Sequence, residues 1–444
     1  MSTPGTDSRV THTEVEEQTE FADLPPELAD TRPSRNQIFS EDRPIHDWYR
    51  FVLSFPPHLV REYVEQFGLE EGNVILDPFS GTGTTMVEAK KLGIESVGVE
   101  AVPMSAFAAK TKLRWDIFPD DLMMDAELIA SAAEAEIERS LDQPTRTLTD
   151  AQAKLILKNS ISPNPLHQSL ILRDTIRAIG GAHQDHLLLA LARQLPTAIG
   201  NLRFGPEIGL GRIRDDAPVV ELWQKQVERM ASDLKQWTHR NRPVARLIQG
   251  DARSLGSLLT PSSVDAVITS PPYPNEKDYT RTVRLESVLL GFLEDRESLR
   301  ATKRGLVRSN TRSVYKADDD DQWLANFPEV TDLADRIEAR RLELGKTSGF
   351  EKMYHRVTRL YFGGMARHFD ALKSVLKPGA QLAYVVGDQA SYFRIMIRTG
   401  EMLGQIAEQL GYEVLDRVLF RTRAATATRE QINEEVLVLR WPGE

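Results

Sequence analysis

The sequence predicts an α/β protein: a mostly parallel sheet with helices on both faces, interrupted by a helical insertion. Three observations predict it. A strand–loop–helix–strand unit of about 30 residues, the length of a βαβ crossover, runs through "NVILDPFSGTGTTMVEAKKLG" and "SVGVE". Alternating strand and helix patterns return at "ARLIQGDA" after a long helical stretch. The terminal "EEVLVLRW" reads as a strand able to pair antiparallel with "EVLDRVLF". Strands alternating with helices imply a sheet covered on both faces.

Residues 1–40 carry Pro4, Pro25, Pro26 and Pro33, many acids and few spaced apolar residues, so disorder is expected. Residues 41–119 form the first part of the sheet domain. "WYRFVLSFPPHLVREYVEQFG" gives an apolar segment, a Phe-Pro-Pro turn and a helix ending at Gly68. Val74 to Leu76 is a short strand, Asp77 to Gly83 a glycine-bearing loop, and Thr84 or Thr85 a helix cap, with Gly93 as the stop. Residues 120–243 read as helical, with "DLMMDAELIASAAEAEIERSL", "DHLLLALARQL" and "APVVELWQKQVERMASDLKQW" expected to build a small core of their own. The sheet resumes over 244–292 with two strands, the second being "VDAVITSPPY". A charged insertion covers 293–359. Residues 360–444 supply a helix, a Lys-Pro-Gly turn, a strand, a further helix and the terminal strand pair.

The chain has 444 residues, 41% hydrophobic and 27% charged, as in an ordinary globular protein. No apolar run is long enough to cross a bilayer, and the N-terminus lacks the pattern of a secretory signal, so a cytoplasmic location is expected. There is no cysteine, which excludes disulfides, thiolate metal sites and cysteine nucleophiles. The histidines show no metal-ligand spacing, and no metal is expected. A net charge of −10 argues against a general nucleic-acid coat but leaves room for a local basic groove.

The loop "DPFSGTGTT" lets Gly81 and Gly83 bend the backbone close to a ligand. No lysine follows the second glycine, so this is not a phosphate-binding loop. Glu100 ends the next strand about 20 residues on, where an acid can take ribose hydroxyls. The combination fits a nucleoside cofactor without a pyrophosphate, of which S-adenosyl-L-methionine (SAM) is one.

"DPFSGTGTT" resembles motif I of the SAM-dependent DNA amino-methyltransferases (cytosine N4 and adenine N6), and the resemblance implies a Rossmann-like methyltransferase sheet. It places Gly81 and Gly83 against the methionine part of SAM. Asp77, Phe79, Ser80, Thr82 and Thr84 shape that pocket, and Glu100 takes the ribose. "FPPHLV" is similar to motif X, with Phe55 near the methionine end, and "QGDARSL" to the turn where Asp251 meets the adenine amine. Ser270-Pro271-Pro272-Tyr273 resembles motif IV. The resemblance covers about 46–115, 245–292 and 360–441, in the order X, I, IV.

The chemistry explains motif IV. An exocyclic base amine is a poor nucleophile because its lone pair is delocalised into the ring. Acceptors at the Ser270 side chain and the Pro271 carbonyl favour a tetrahedral nitrogen, and two prolines fix them on one spot. Tyr273 offers a face for stacking and for the positive charge that develops on the base. The base must leave a duplex to reach such a pocket.

Without cysteine, cytosine C5 methylation is excluded. Serine at the first motif IV position favours cytosine N4 over adenine N6, which stays open. A serine hydroxyl can also donate to the ring nitrogen beside the amine. Double-stranded DNA is the expected partner, with a restriction or defence system around it. An RNA base amino-methyltransferase and a non-catalytic subunit of a defence complex are the alternatives.

"RATKRGLVRSNTRSVYK" carries Arg300, Lys303, Arg304, Arg308, Arg312 and Lys316 with no acid among them, followed by "ADDDD". The cations are expected to grip phosphates beside the base pocket, and the bland alternative is a solvated loop. Arg417, Arg421, Arg423 and Arg429 are a weaker second set, and the helical insertion is a candidate for target recognition.

Overall fold

The computed structural model describes residues 38–50, 54–205, 208–240, 243–424 and 431–443. The segment expected to be disordered lies, apart from 38–40, outside the described residues. Seven strands form one sheet: β1 Val74–Asp77, β2 Glu95–Glu100, β3 Ala245–Gln249, β4 Val264–Thr269, β5 Leu376–Gly387, β6 Glu413–Ala424 and β7 Gln431–Arg440. Their order is β3-β2-β1-β4-β5-β7-β6. Every neighbour pair is parallel except those made by β7, which runs antiparallel to β5 and β6. This is the Rossmann-like methyltransferase sheet. Winding reverses between β1 and β4, and in such sheets ligands bind outside the carboxyl ends of the strands at that point.

The central strands are apolar because both faces are covered. Ile75, Leu76, Ala266, Val267 and Ile268 are all fully buried. Helix α1 (Pro57–Gln66) starts on the second proline of Phe-Pro-Pro, whose missing N–H costs nothing in a first turn. Helix α2 (Thr84–Leu92) stops at Gly93 in the left-handed conformation, as expected. Its start differs from expectation. Neither Thr84 nor Thr85 caps it, the N-cap being Gly83, and Thr85 instead donates to the Ile268 carbonyl. The Lys-Pro-Gly turn also differs. It lies within β5 as an irregularity, with Gly379 at φ +87° and the register against β4 shifting between Val264 and Ala266.

The insertion does not build a separate core. Ile129, Leu172, Leu189 and Trp223 belong to one buried cluster with Trp48, Met86, Val87, Val102, Met104 and Trp115, all outside the insertion. Its helices therefore pack on the flanking helices of the sheet domain. One side of the sheet itself is covered by α1 and α2, whose Leu59, Val60, Tyr63 and Ala89 pack with Ile75, Ala266, Ile268 and Ala383. The other side is covered by the helix Tyr354–Lys373, whose Tyr361, Phe362 and Phe369 pack with Val267, Leu382 and Leu437. The charged insertion joins that second core through the helix Pro328–Glu343 and its Val330, Leu333 and Ile337.

Candidate active site

The glycine loop leaves β1 with two residues at positive φ, Gly81 at +52° and Gly83 at +86°. Gly83 is excluded from carrying a side chain twice over. Its conformation disfavours one, and a Cβ would stand 3.1 Å from that of Ala109 in the helix Pro103–Lys112. The turn at Gly81 aims its N–H at Glu100, which accepts it at 2.7 Å and accepts the Val102 N–H with its other oxygen, also at 2.7 Å. Burial pushes the Glu100 carboxyl up to about 7, against the pull of these backbone donors. Asp77 sits beneath the loop, fully buried. It accepts from the Thr269 hydroxyl at 2.6 Å and the Phe79 N–H at 3.2 Å, and burial raises its carboxyl to about 6.

The Asp77–Thr269 and Thr85–Ile268 hydrogen bonds tie the glycine loop to the end of β4, where Ser-Pro-Pro-Tyr begins. Ser270 donates its hydroxyl proton to the Val385 carbonyl at 3.0 Å. That leaves its lone pairs as acceptors. The Tyr273 N–H donates to the Tyr279 hydroxyl at 3.0 Å, and Asn275 N–H closes a turn on the Tyr273 carbonyl at 2.9 Å. The Tyr273 ring lies over the backbone of Gly387, so close that a Cβ there would meet Cε2 at 2.9 Å. The following loop is held by Glu276, which accepts the Thr311 N–H at 2.8 Å and hydroxyl at 2.9 Å, and by Asn310, which donates to the Lys277 carbonyl at 3.1 Å.

These elements enclose one cavity of about 330 Å³. Of the residues expected at a cofactor, Phe55, Phe79, Ser80, Gly81, Thr82, Thr84, Glu100 and Asp251 line it, as do Ser270, Pro271, Pro272 and Tyr273. Asp77 and Gly83 are not among its lining residues and act by shaping the loop. The Phe79 ring is fixed by an edge contact to His368, 4.9 Å between centroids. His368 is itself held between the Ala252 carbonyl and the Tyr384 hydroxyl, and burial lowers its pKa to about 4, so it is neutral. Asp251 is not a bare acceptor. Arg253 clamps its carboxylate at 3.0 and 2.6 Å and pairs also with Asp320.

Sequence reasoning missed this Arg253 clamp, along with Tyr279, Val385, Gly387, Phe420 and Glu434. The partners of Tyr279 and Val385 are set by tertiary contact and carry no local motif. Arg421, expected at a DNA surface, lines the cavity beside Phe420 and Glu434. Arg429 lies outside the described residues, as does the side chain of Arg423.

The basic stretch is corrected in two places. Lys303 is buried, 2.7 Å from Asp278, and Arg308 is buried, 2.8 Å from Asp318, so neither reaches a phosphate. The desolvation cost of each charge is offset by a specific carboxylate. The acidic run supplies such partners, Asp318 for Arg308 and Asp320 for Arg253 and Arg367, and so is not simply solvated. Arg300 and Arg304 are exposed on the helix Arg296–Arg304, within 3.7 and 3.6 Å of Glu297, and Arg312 is exposed beyond it.

Residues 16–106 match the family model described as a DNA methylase, that of the N6 and N4 methyltransferases. The Type II methyltransferase M.BsoBI of Geobacillus stearothermophilus is 25% identical over 425 residues, 88% of this chain and 83% of that protein. The Type II methyltransferase M.AvaI of Nostoc sp. is 24% identical over 412 residues, 84% of this chain and 80% of that one. The chain is thus similar to the N6/N4 amino-methyltransferases. A shorter stretch of 74 residues, 16% of this chain and 14% of the relative, is 36% identical to the Type II methyltransferase M.MjaII of Methanocaldococcus jannaschii.

Similarity to the amino-methyltransferases implies SAM as methyl donor, and the residues present fit it. Glu100 offers a buried carboxylate fixed by two backbone donors, Gly81 leaves the loop without a side chain, and Asp251 stands across the cavity. Among the described residues, no helix is long and apolar enough to cross a membrane, and no cluster of His, Asp and Glu could hold a metal ion.

Proposed function

We propose that this chain methylates an exocyclic amine of a base in double-stranded DNA, with cytosine N4 as the acceptor, at a defined sequence. The observation that carries the reading is the single cavity shared by the glycine loop and by Ser270 to Tyr273. SAM, when bound, supplies an electrophilic methyl group on a sulfonium. Phe55, Ser80, Gly81, Thr82, Thr84, Glu100 and Asp251 would hold it, over a loop braced by Asp77, Phe79 and Gly83.

The chain's own residues do the rest. The Ser270 hydroxyl, its proton committed to Val385, and the Pro271 carbonyl accept the amine hydrogens and turn the nitrogen lone pair out of the ring plane. Tyr273 stacks on the base and stabilises the charge that builds there. With the Ser270 proton on Val385, donation to the ring nitrogen would require breaking that bond, which favours the acceptor role.

The Type II methyltransferase names of the relatives support DNA as substrate and a place beside a restriction enzyme. Incubation with SAM and duplex DNA, followed by nucleoside mass spectrometry, tests the reading. N4-methylcytosine is expected. N6-methyladenine would move the acceptor to adenine, and methylation of RNA alone would refute the DNA substrate. Tyr273→Ala should abolish transfer and leave SAM affinity intact.

A further inference from the structure

Transfer of a methyl group to an amine releases a proton. As the nitrogen lone pair forms the new N–C bond, the C–S bond breaks and its electron pair stays on sulfur. The nitrogen is left with a positive charge and one proton too many. Neither acceptor proposed for the amine can keep that proton. Ser270 has a hydroxyl proton of its own, held on Val385, and the Pro271 carbonyl is an amide oxygen, a weak base.

Among the described residues, three carboxylates line the cavity: Glu100, Asp251 and Glu434. Glu100 is committed to the N–H groups of Gly81 and Val102, and Asp251 to Arg253. Both stand on the proposed cofactor side. The place of Glu434 follows from the sheet. Ser270, at the end of β4, leans onto β5 through its 3.0 Å bond to Val385. Glu434 lies on β7, the next strand over, directly opposite Gly387 of β5. A Cβ on Gly387 would meet Tyr273 Cε2 at 2.9 Å and Glu434 Cγ at 3.3 Å, so the stem of the acid and the proposed stacking ring flank one point. Glu435, the next residue, points to the other face of the sheet and packs against Gly400. Glu434 has a partner of its own, but a carboxylate offers about four acceptor sites, and one contact does not exhaust them.

We propose that Glu434 is a catalytic residue of the transfer. Its carboxylate takes the proton from the methylated nitrogen, directly or through one water, and passes it to solvent. Glu434 is half-buried, so it can lose the proton again without the cavity opening. Its negative charge also stabilises the positive charge that develops on the base. The proposal rests on the reading above that a base amine is the acceptor, and it holds for cytosine and adenine alike.

Glu434→Gln and Glu434→Ala test it, in single-turnover methylation at saturating SAM and duplex. Glu434→Gln keeps the shape and removes the base, and should slow the reaction about 100-fold. Glu434→Ala should slow it as much. Formate, a small carboxylate able to occupy the vacated space, should restore part of that rate in a saturable way, and chloride at equal ionic strength should not. Formate should leave Glu434→Gln unchanged, because the amide fills the space. Duplex affinity, by fluorescence anisotropy, and SAM affinity, by calorimetry, should match the wild type in Glu434→Gln, since the charge that Glu434 meets appears only in the transition state.

If the wild type methylates DNA and Glu434→Gln does so at the same rate, the proton role is overturned and the methylation reading stands. If formate restores nothing in Glu434→Ala, or if duplex affinity falls by the same factor as the rate, Glu434 serves packing or binding, and the proton role is again overturned. If the wild type methylates no base amine, both readings fall.

Discussion

Gly387→Ala is the sharpest test of how the target base is held. The added methyl would stand 2.9 Å from Tyr273 Cε2, 3.3 Å from Tyr273 Cδ2 and 3.3 Å from Glu434 Cγ. Carbon atoms in contact prefer about 3.5–4.0 Å, so the ring must withdraw by roughly 0.5–1 Å. Gly387 is not among the positive-φ glycines, so backbone strain plays no part and the effect is steric. Overpacking of this kind costs about 1–3 kcal/mol of stability. A reacting group displaced by about 1 Å loses on the order of 10²-fold in rate. Loss of the stacking face altogether forfeits about 1–3 kcal/mol per base. Single-turnover methylation should therefore slow by about 10- to 100-fold, with SAM affinity unchanged. The same substitution made in a Tyr273→Ala background should have little further effect on stability, because the ring it strikes is gone. A wild-type methylation rate in Gly387→Ala, or fully additive stability losses in the pair, would refute the claim that this glycine seats the tyrosine.

Glu100 should make SAM binding pH-dependent. Its carboxyl titrates at about 7 in the fold, so affinity should weaken as pH falls through 7, and Glu100→Gln should bind weakly at every pH, as calorimetry can show. The linked effect on folding has the opposite sense. Between 4.5 and about 7 the native state holds a proton that the unfolded chain releases, so the stability contribution of Glu100 is full at low pH and lost as pH rises. Lys303→Met strips Asp278 of its closest cation, and leaving a buried carboxylate short of its partner should cost roughly 3–5 kcal/mol in urea unfolding. Arg304→Ala, on an exposed side chain, should stay within about 0.5 kcal/mol of wild type in the same assay.

The first βαβ unit was legible because its signals are local. An apolar run, two glycines at a tight turn, helix formers and a second apolar run all fall within one short window. The strand before Ser270 and the terminal hairpin were legible for the same reason. Burial of charge was not. Lys303 and Arg308 look like exposed cations until Asp278, 25 residues away, and Asp318, 10 residues away, are seen to meet them. The insertion's helices announced their apolar faces but not what those faces would cover, and the answer was the helices after β1 and β2 as well as one another. At the active site, the sequence named Ser270 but could not name Val385, 115 residues on, whose carbonyl fixes which way the hydroxyl points.

The reversed strand explains why the site draws on parts of the chain so far apart. Because β7 runs antiparallel to β5, its first half lies beside the carboxyl end of β5, and Glu434 pairs with Gly387. The preceding strand β6 ends at the same place, with Arg421 opposite Glu434. A parallel strand in that position would have brought its carboxyl-terminal end there instead. The proposed cofactor half of the cavity is thus set by the loops after β1, β2 and β3, and the proposed target half by the ends of β4, β5 and the β6–β7 hairpin. That division predicts separable defects. Changes at Gly81 or Glu100 should appear first in SAM affinity, and changes at Ser270, Gly387 or Glu434 in the methylation rate at saturating SAM.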